Sequence, residues 1–234
     1  MNIVITGATK GIGNAIAKVF ADRESGRLAV AARTDADLQR MSDYFSTHFP
    51  QMELLTCCAD LSSDSGVDRF AQTVLTAWDH VDVLVNNAGT YIHGNILDEP
   101  DDALANLLAL NLMAPYRLTR ALLPLMLRQG HGHIFNIASI AGRKILADSA
   151  AYTISKHAVM GFSGVLREWL RSRHIKVTTV MPSHTWSASW EGSSTPPERI
   201  LAAEEVALAI YNAWKTAPNT VIEELVIRPQ LGDL

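Results

Sequence analysis

The sequence predicts an α/β domain built on a doubly wound parallel sheet of about seven strands, with helices on both faces. Three observations predict it. Short β-branched runs alternate with longer helical patterns along the whole chain. Most of the short runs are continuously apolar rather than alternating, as strands covered on both faces should be. No linker or internal repeat divides the 234 residues, 48% of them hydrophobic, so a single domain over 1–234 with a sizeable core is expected.

The first strand is "NIVIT". It starts at Asn2, which leaves no room for a signal or transit peptide. It runs into "TGATKGIG", with Gly7, Gly11 and Gly13 at a strand-to-helix junction. Glycine there permits a tight turn and the close approach of a phosphate, and the helix start offers free N–H groups to an anion. The helix "GNAIAKVFADR" follows, then the strand "LAVAA", which ends at Ala32 and Arg33, and then the helix "DADLQRMSDYF" with acids in its first turn. The third strand, "ELLTCC", holds both cysteines. Cys57 and Cys58 are adjacent, so they are poorly placed to bridge each other, and no CxxC or Cys/His spacing suggests zinc. They read as thiols in a buried strand, which suits a reducing cytosol.

Asp60 and Leu61 precede the helix "DSGVDRFAQTVLTAW", and the fourth strand "DVLVN" leads into "NNAG" at Asn86–Gly89. The longest helical pattern, "DDALANLLALNLMAPYRLTRALLPLMLRQG", contains Pro115. Proline has no N–H, so the carbonyl of Asn111 loses its helical partner; a local distortion is expected there, with the carbonyl turning to another donor such as an ordered water. His131 and His133 in "GHGH" have no third ligand in evidence and read as a surface turn, so no metal is expected. The fifth strand, "HIFNIAS", ends at Ser139.

The helix "AAYTISKHAVMGFSGVLREWLRSR" opens with Tyr152 and Lys156, four apart and hence on one face. A lysine facing a core is costly, so either both point at solvent or they share a site. The sixth strand, "KVTTVMP", ends at Pro182. It is followed by "SHTWSASWEGSSTPPERI", an irregular stretch long enough to be a lid or binding loop, which gives a substrate loop at about 183–200. The helix "AAEEVALAIYNAWK" and the strand "VIEELVI" complete the alternation.

The net charge of −4 is mild, and no basic run suggests nucleic acid. No basic amphipathic helix and no apolar stretch of about eighteen residues suggests a membrane. A cytoplasmic chain is expected.

"TGATKGIG", "NNAG", Ser139 and "YTISK", in this order and spacing, resemble the short-chain dehydrogenase/reductase family over nearly the whole chain. The resemblance implies one NAD(P)-binding Rossmann domain that moves a hydride between a nicotinamide and a carbonyl or secondary alcohol. It implies that the turn formed by Gly7, Thr9, Lys10, Gly11, Ile12 and Gly13 holds the cofactor. Asp60 would bond the adenine amino group with the Leu61 backbone beside it, or serve only as a helix-entry acid. Asn87, Ala88 and Gly89 would run along the cofactor while also forming a strand-end turn. Tyr152 would exchange a proton with the reacting oxygen, which Ser139 would hydrogen-bond. Lys156 would bind the nicotinamide ribose and lower the Tyr152 pKa. At ~4 Å and an effective dielectric near 20, its charge contributes about 4 kcal/mol, enough in principle to bring a phenol from about 10 to near 7. The Asn111 carbonyl would hold a water that reaches Lys156.

NAD-binding proteins usually carry an acid at the end of the second strand. Here Ala32 stands in that place, Arg33 follows, and Lys10 adds a nearby cation. An arginine fork binds a 2′-phosphate bidentately, so NADP(H) is the expected cofactor, with NAD(H) the alternative. The family's Pro-Gly-x-Val-x-Thr after the sixth strand reads "PSHTWS" here: Pro182 is kept, while Ser183, Thr185 and Ser187 stand for the Gly, Val and Thr. Thr185 can still offer its backbone to the carboxamide and Ser187 keeps a hydroxyl, but Ser183 adds a side chain beside the substrate. Trp186 and Trp190 would either wall an apolar pocket or pack the loop onto the body. Arg143 would meet an acidic substrate or, on the more economical reading, lie on the surface.

The expected function is NADP(H)-dependent carbonyl/alcohol oxidoreduction of a small molecule, of 3-oxoacyl or 3-hydroxy-acid type. The rival readings are an NAD-linked alcohol or polyol dehydrogenase and a non-catalytic dinucleotide sensor. The helices at 101–129 and 150–173 are apolar beyond what one buried face needs. In the family they form the dimer interface, so a homodimer or homotetramer is expected.

Overall fold

The computed structural model describes residues 1–186 and 195–233. Seven parallel strands form one sheet in the order β3-β2-β1-β4-β5-β6-β7. They are β1 (Asn2–Thr6), β2 (Gly26–Ala32), β3 (Met52–Cys58), β4 (Val83–Asn86), β5 (Gly132–Ile137), β6 (Ile175–Pro182) and β7 (Glu224–Ile227). All seven coincide with the apolar runs of the sequence. The chain leaves β1 towards β2 and β3, then returns to lay β4 on its other side. This reversal opens a crevice at the carboxyl ends of β1 and β4, the place where such sheets hold ligands.

Two cores flank the sheet. On one face α1 (Gly11–Arg23), α2 (Asp35–His48) and α7 (Ala203–Trp214) bury Ile16, Phe20, Phe45, Val206 and Ile210 against β1, β2 and β4. On the other, α3 (Asp64–Ala77), α5 (Ala114–Gln129) and α6 (Ala150–Leu170) bury Phe70, Leu118, Leu122 and Leu170. β1 and β4, buried at every position, have no wet face, which is why they read as apolar runs, whereas the edge strands β3 and β7 keep exposed positions.

The long helical pattern is not one regular helix. α4 (Ala103–Leu108) passes into a π-helical turn, Ala109–Met113, before α5 begins with Pro115 in its first turn. The N–H of Ala114 reaches the carbonyl of Ala109, five residues back. The expected distortion at Asn111 is therefore present: a proline that cannot donate is accommodated by widening the preceding turn.

The surface-turn reading of the two histidines needs correction. His131 is exposed, but His133 lies inside β5 at 2% exposure, stacked on Phe135 at 3.9 Å. Its Nε2 sits 2.7 Å from Thr178 Oγ1 on β6. The strand begins at Gly132, so His133 takes a core-facing register, and burial keeps its ring neutral by lowering its pKa to about 3. Cys57 is buried and Cys58 half-buried, both free. Among the described residues no helix is long and apolar enough to cross a membrane, and no group of three or more His, Cys, Asp or Glu is placed to hold a metal.

Candidate active site

At the crevice, β1 ends at Thr6 and the chain turns through Gly7 (φ +65°) and Gly11 (φ +54°), left-handed angles that favour glycine. A Cβ on Gly13 would meet the Gly7 carbonyl at 2.3 Å, so α1 starts directly on the turn. Beside Gly11, by contrast, nothing lies within 4 Å of where a Cβ would be. The N-cap position, Lys10, makes no side-chain cap, and α1 has no acid in its first turn. The first turn of α1 is thus without a side-chain cap and without a neutralising carboxylate, and this fits a dinucleotide's phosphates. Thr9 and Ile12 are half-buried beside them.

"NNAG" is a brace across the crevice. The Thr6 hydroxyl accepts from the N–H groups of Asn87 and Ala88, both at 2.9 Å. The Asn87 amide donates to the carbonyls of Thr6 (2.9 Å) and Gly7 (3.1 Å). Both sequence readings of this motif, strand-end turn and cofactor ledge, are compatible with that geometry.

At the outer corner Arg33 is exposed at the end of β2. Lys10 is not a free cation: its Nζ lies 3.7 Å from Asp37, which also pairs with Arg40. The Thr34 hydroxyl, and then the Lys10 and Arg40 charges, hold the Asp37 carboxyl below the usual range. Asp37 and Arg40 escaped the sequence reading; an acid and a base three apart on a helix are the usual signature of a solvated face. Asp60, ahead of α3, accepts from the Ser62 N–H (3.0 Å) and hydroxyl (2.8 Å), and these bonds lower its pKa. Leu61 beside it is buried.

Deeper in the crevice, Ser139 follows β5 and its Oγ accepts from the Ala141 N–H at 3.1 Å. The first turn of α6 brings up Tyr152, and Lys156 follows one turn later, only 5% exposed. Lys156 Nζ donates to the Ile137 carbonyl at 3.0 Å and stands 5.6 Å from the centre of the Tyr152 ring. Asn111 is stapled by its side chain. Its Oδ1 accepts from the Thr90 N–H (2.9 Å), and its Nδ2 donates to the Thr90 carbonyl (3.0 Å) and Ser155 Oγ (3.1 Å). A Cβ on Gly89 would meet Asn111 Oδ1 at 3.1 Å and Lys156 Nζ at 3.7 Å. Glycine at 89 thus lets the loop after β4 close against both.

Burial pushes the Tyr152 phenol above its ordinary value, the Ser139 hydroxyl works the other way, and Tyr91 adds to the rise. The Lys156 ammonium donates to the Ile137 carbonyl, and burial lowers the Lys156 pKa to about 8. Tyr91 is a neighbour the sequence reading missed. Its ring meets that of Tyr152 edge-on, at 4.9 Å and 81°. The available signal was an aromatic two residues beyond "NNAG".

Pro182 ends β6. Ser183 Oγ donates to Asp233 at 2.5 Å, so the side chain that replaces the family glycine is taken up by the C-terminal segment. Thr185 pairs with Leu201, and Trp186 is 48% exposed rather than packed onto the body. Ser187 and Trp190 lie outside the described residues. Arg143 pairs with Glu224, a surface role.

A family model for short chain dehydrogenases matches residues 1–196. Sepiapterin reductase of Chlorobaculum tepidum is 32% identical over 239 residues, covering 99% of this chain and 97% of that protein. Among solved structures, a metagenomic short-chain oxidoreductase in complex with NADP is 33% identical, with a TM-score of 0.82 over 98% of this chain and 97% of its own. L-Sorbose reductase from Gluconobacter frateurii, complexed with NADPH and L-sorbose, is 27% identical, with a TM-score of 0.89 over 97% and 95%.

Proposed function

The chain belongs to the short-chain dehydrogenase family, and from that premise we propose that it is an NADP(H)-dependent oxidoreductase interconverting a carbonyl and a secondary alcohol. The observation that carries this reading is the convergence of Ser139, Tyr152 and Lys156 beside an open, uncapped glycine turn. Relatives solved with NADP or NADPH support the cofactor, as do Lys10 and Arg33 at the corner where a 2′-phosphate would lie.

The turn from Gly7 to Gly13 would hold the pyrophosphate on the amides of α1. Lys10 and Arg33 would hold the 2′-phosphate, Asp60 and Leu61 the adenine, and Asn87, Ala88 and Gly89 the ribose side of the crevice. Pro182, Thr185 and Ser187 would close over the carboxamide end. The bound nicotinamide supplies or accepts the hydride. In the reducing direction, Ser139 hydrogen-bonds the carbonyl oxygen and Tyr152 gives that oxygen its phenolic proton. The proton is on the phenol at neutral pH, the form in which Tyr152 can act as an acid, and a neighbouring cation makes its release easier. Lys156 donates to the ribose hydroxyls, and the positive charge beside the phenolate steadies it once the proton has gone. The Asn111 carbonyl, in the π-helical turn, would hold a relay water that reaches Lys156 and joins Tyr152 to solvent.

For the substrate, a 3-oxoacyl or 3-hydroxy-acid compound is the finer proposal. A panel of such compounds together with simple ketones, sugars and alcohols, run with NADP(H) and NAD(H), tests both parts. Turnover with NADPH and a 3-oxo compound is expected; turnover with NADH alone overturns the cofactor assignment, and dinucleotide binding without any turnover favours the sensor reading.

Assembly as a homodimer or homotetramer is part of the same proposal. Met113 and Tyr116 beside α5, and Val165 and Trp169 on α6, leave large apolar groups in solvent, with Tyr116 and Phe162 touching across the two helices at 5.6 Å. Sedimentation at micromolar concentration is expected to give a dimer or tetramer, and a monomer would rule this out.

A further inference from the structure

We infer that Tyr91 is a positioning residue for Tyr152: its ring sets the orientation of the phenol, and its hydroxyl ties that contact to the start of α6. The inference rests on the oxidoreductase reading above and names a residue that this reading does not use.

The ring contact has the edge-to-face geometry that aromatic pairs prefer. Among the described residues Tyr91 supplies the one aromatic ring against Tyr152. Tyr91 is not a core residue, since 53% of it is exposed. Its hydroxyl is nevertheless anchored, 2.8 Å from the hydroxyl of Ser149 and 3.3 Å from His93 Nδ1.

Ser149 makes the arrangement informative. It occupies the N-cap of α6 and is only 2% exposed. A serine there ordinarily accepts from an amide of the first turn, and that cap is worth having. Here it makes no side-chain cap. Its hydroxyl goes to Tyr91, and the Ala151 N–H is taken by Glu99 at 3.0 Å. The helix that carries the catalytic pair is thus capped from the loop after β4, and its own capping residue holds Tyr91. The same loop is laced to the helix start by backbone bonds, Gly94 N–H to the Asp148 carbonyl (2.9 Å) and Ala150 N–H to the Gly94 carbonyl (3.0 Å). Loop and helix start are thus bonded to each other on both sides of Gly94, with the two tyrosine rings at their junction. A ring so held cannot swing its hydroxyl away from Ser139 without breaking the contact with Tyr91.

The test uses the full chain. Tyr91→Leu keeps apolar volume but removes ring and hydroxyl; Tyr91→Phe restores the ring. Turnover is expected to fall about tenfold in Tyr91→Leu, with the KM for NADPH unchanged, and to recover most of the way in Tyr91→Phe. The second readout needs no turnover. With tyrosine labelled at its ring Cζ carbon, the Tyr152 resonance, assigned through Tyr152→Phe among five tyrosines, is followed by NMR against pH. Its midpoint should drop in Tyr91→Leu, because a ring that shields the phenol from water has gone. Turnover within about twofold of the parent, or an unmoved Tyr152 midpoint, overturns the proposal. If Tyr91→Leu does not fold, Tyr91→Met, which also lacks ring and hydroxyl, takes its place; it should shift the midpoint the same way, and an unshifted midpoint overturns the proposal equally. A parent protein that turns over nothing would defeat the oxidoreductase reading, while the titration would still judge the contact between the two rings.

Discussion

The two ends of the site are built on opposite principles. At the end with Tyr152, both Lys156 and Asn111 are buried, Asn111 is bonded to Thr90 and Ser155 and Lys156 to Ile137, and burial moves the ionisations of Tyr152 and Lys156 in opposite directions. At the end beside the glycine turn, Lys10, Arg33 and Arg40 stand in solvent, and Asp37 is shared between two of them. Where water is excluded, a charge is worth much and must be held in one geometry. Where water is present, charges are screened and can substitute for one another. A change at the first end should therefore act on chemistry steeply and at any ionic strength, and a change at the second should act on binding mildly and only in low salt.

The sharpest way to break this contrast is Tyr152→Phe. Turnover should fall about 10²–10⁴-fold while cofactor affinity, read by fluorescence titration, stays put. A variant that keeps more than about a tenth of the rate would mean that the phenol is not the acid.

Lys156→Met comes next, and it separates function from stability. The Lys156 pKa is lowered to about 8 in the folded chain, against 10.5 for a free side chain. Between these values the unfolded chain binds the extra proton, so stability rises with pH through that window and is lost again as pH falls through about 8. The rise is at most about 1.4 kcal/mol per pH unit. Urea unfolding of parent and variant across the window should show that rise in the parent and its loss in Lys156→Met, together with loss of activity. An identical pH dependence in both would place the lysine in water and undo the comparison.

At the other end, replacing Lys10 and Arg33 together by alanine should weaken NADPH binding about ten- to a hundredfold at low salt, less at high salt, and leave NADH nearly unchanged. Equal affinity of the parent for the two cofactors would falsify the assignment. The smallest effect is expected from Asp37→Asn, which releases Lys10 and Arg40 from their shared carboxylate. NADPH should bind about two- to fivefold tighter, with the gain disappearing in salt. A weaker complex would show that Asp37 orients the cations instead of competing for them.

The sequence by itself determined a great deal of this. Mostly apolar runs placed all seven strands, and the runs are least broken in β1 and β4, where a covered strand has no polar face to show. Left-handed angles favour glycine, so Gly7 and Gly11 marked the tight turn between β1 and α1. A residue spacing of four put Tyr152 and Lys156 on one helix face, and the missing N–H of Pro115 announced the disturbed turn at Asn111. Each of these signals is local, carried by one residue's own backbone or by a period of a few residues. What only the tertiary structure decided is non-local. Asn87 braces Thr6 across 81 positions of sequence, Tyr91 reaches Ser149 across 58, and Ser183 meets the carboxylate of Asp233 across 50. The burial of His133 and the upward shift of Tyr152 belong to the same class. Both depend on which neighbours exclude water, and that follows from strand register and loop closure, not from the residue or its near neighbours.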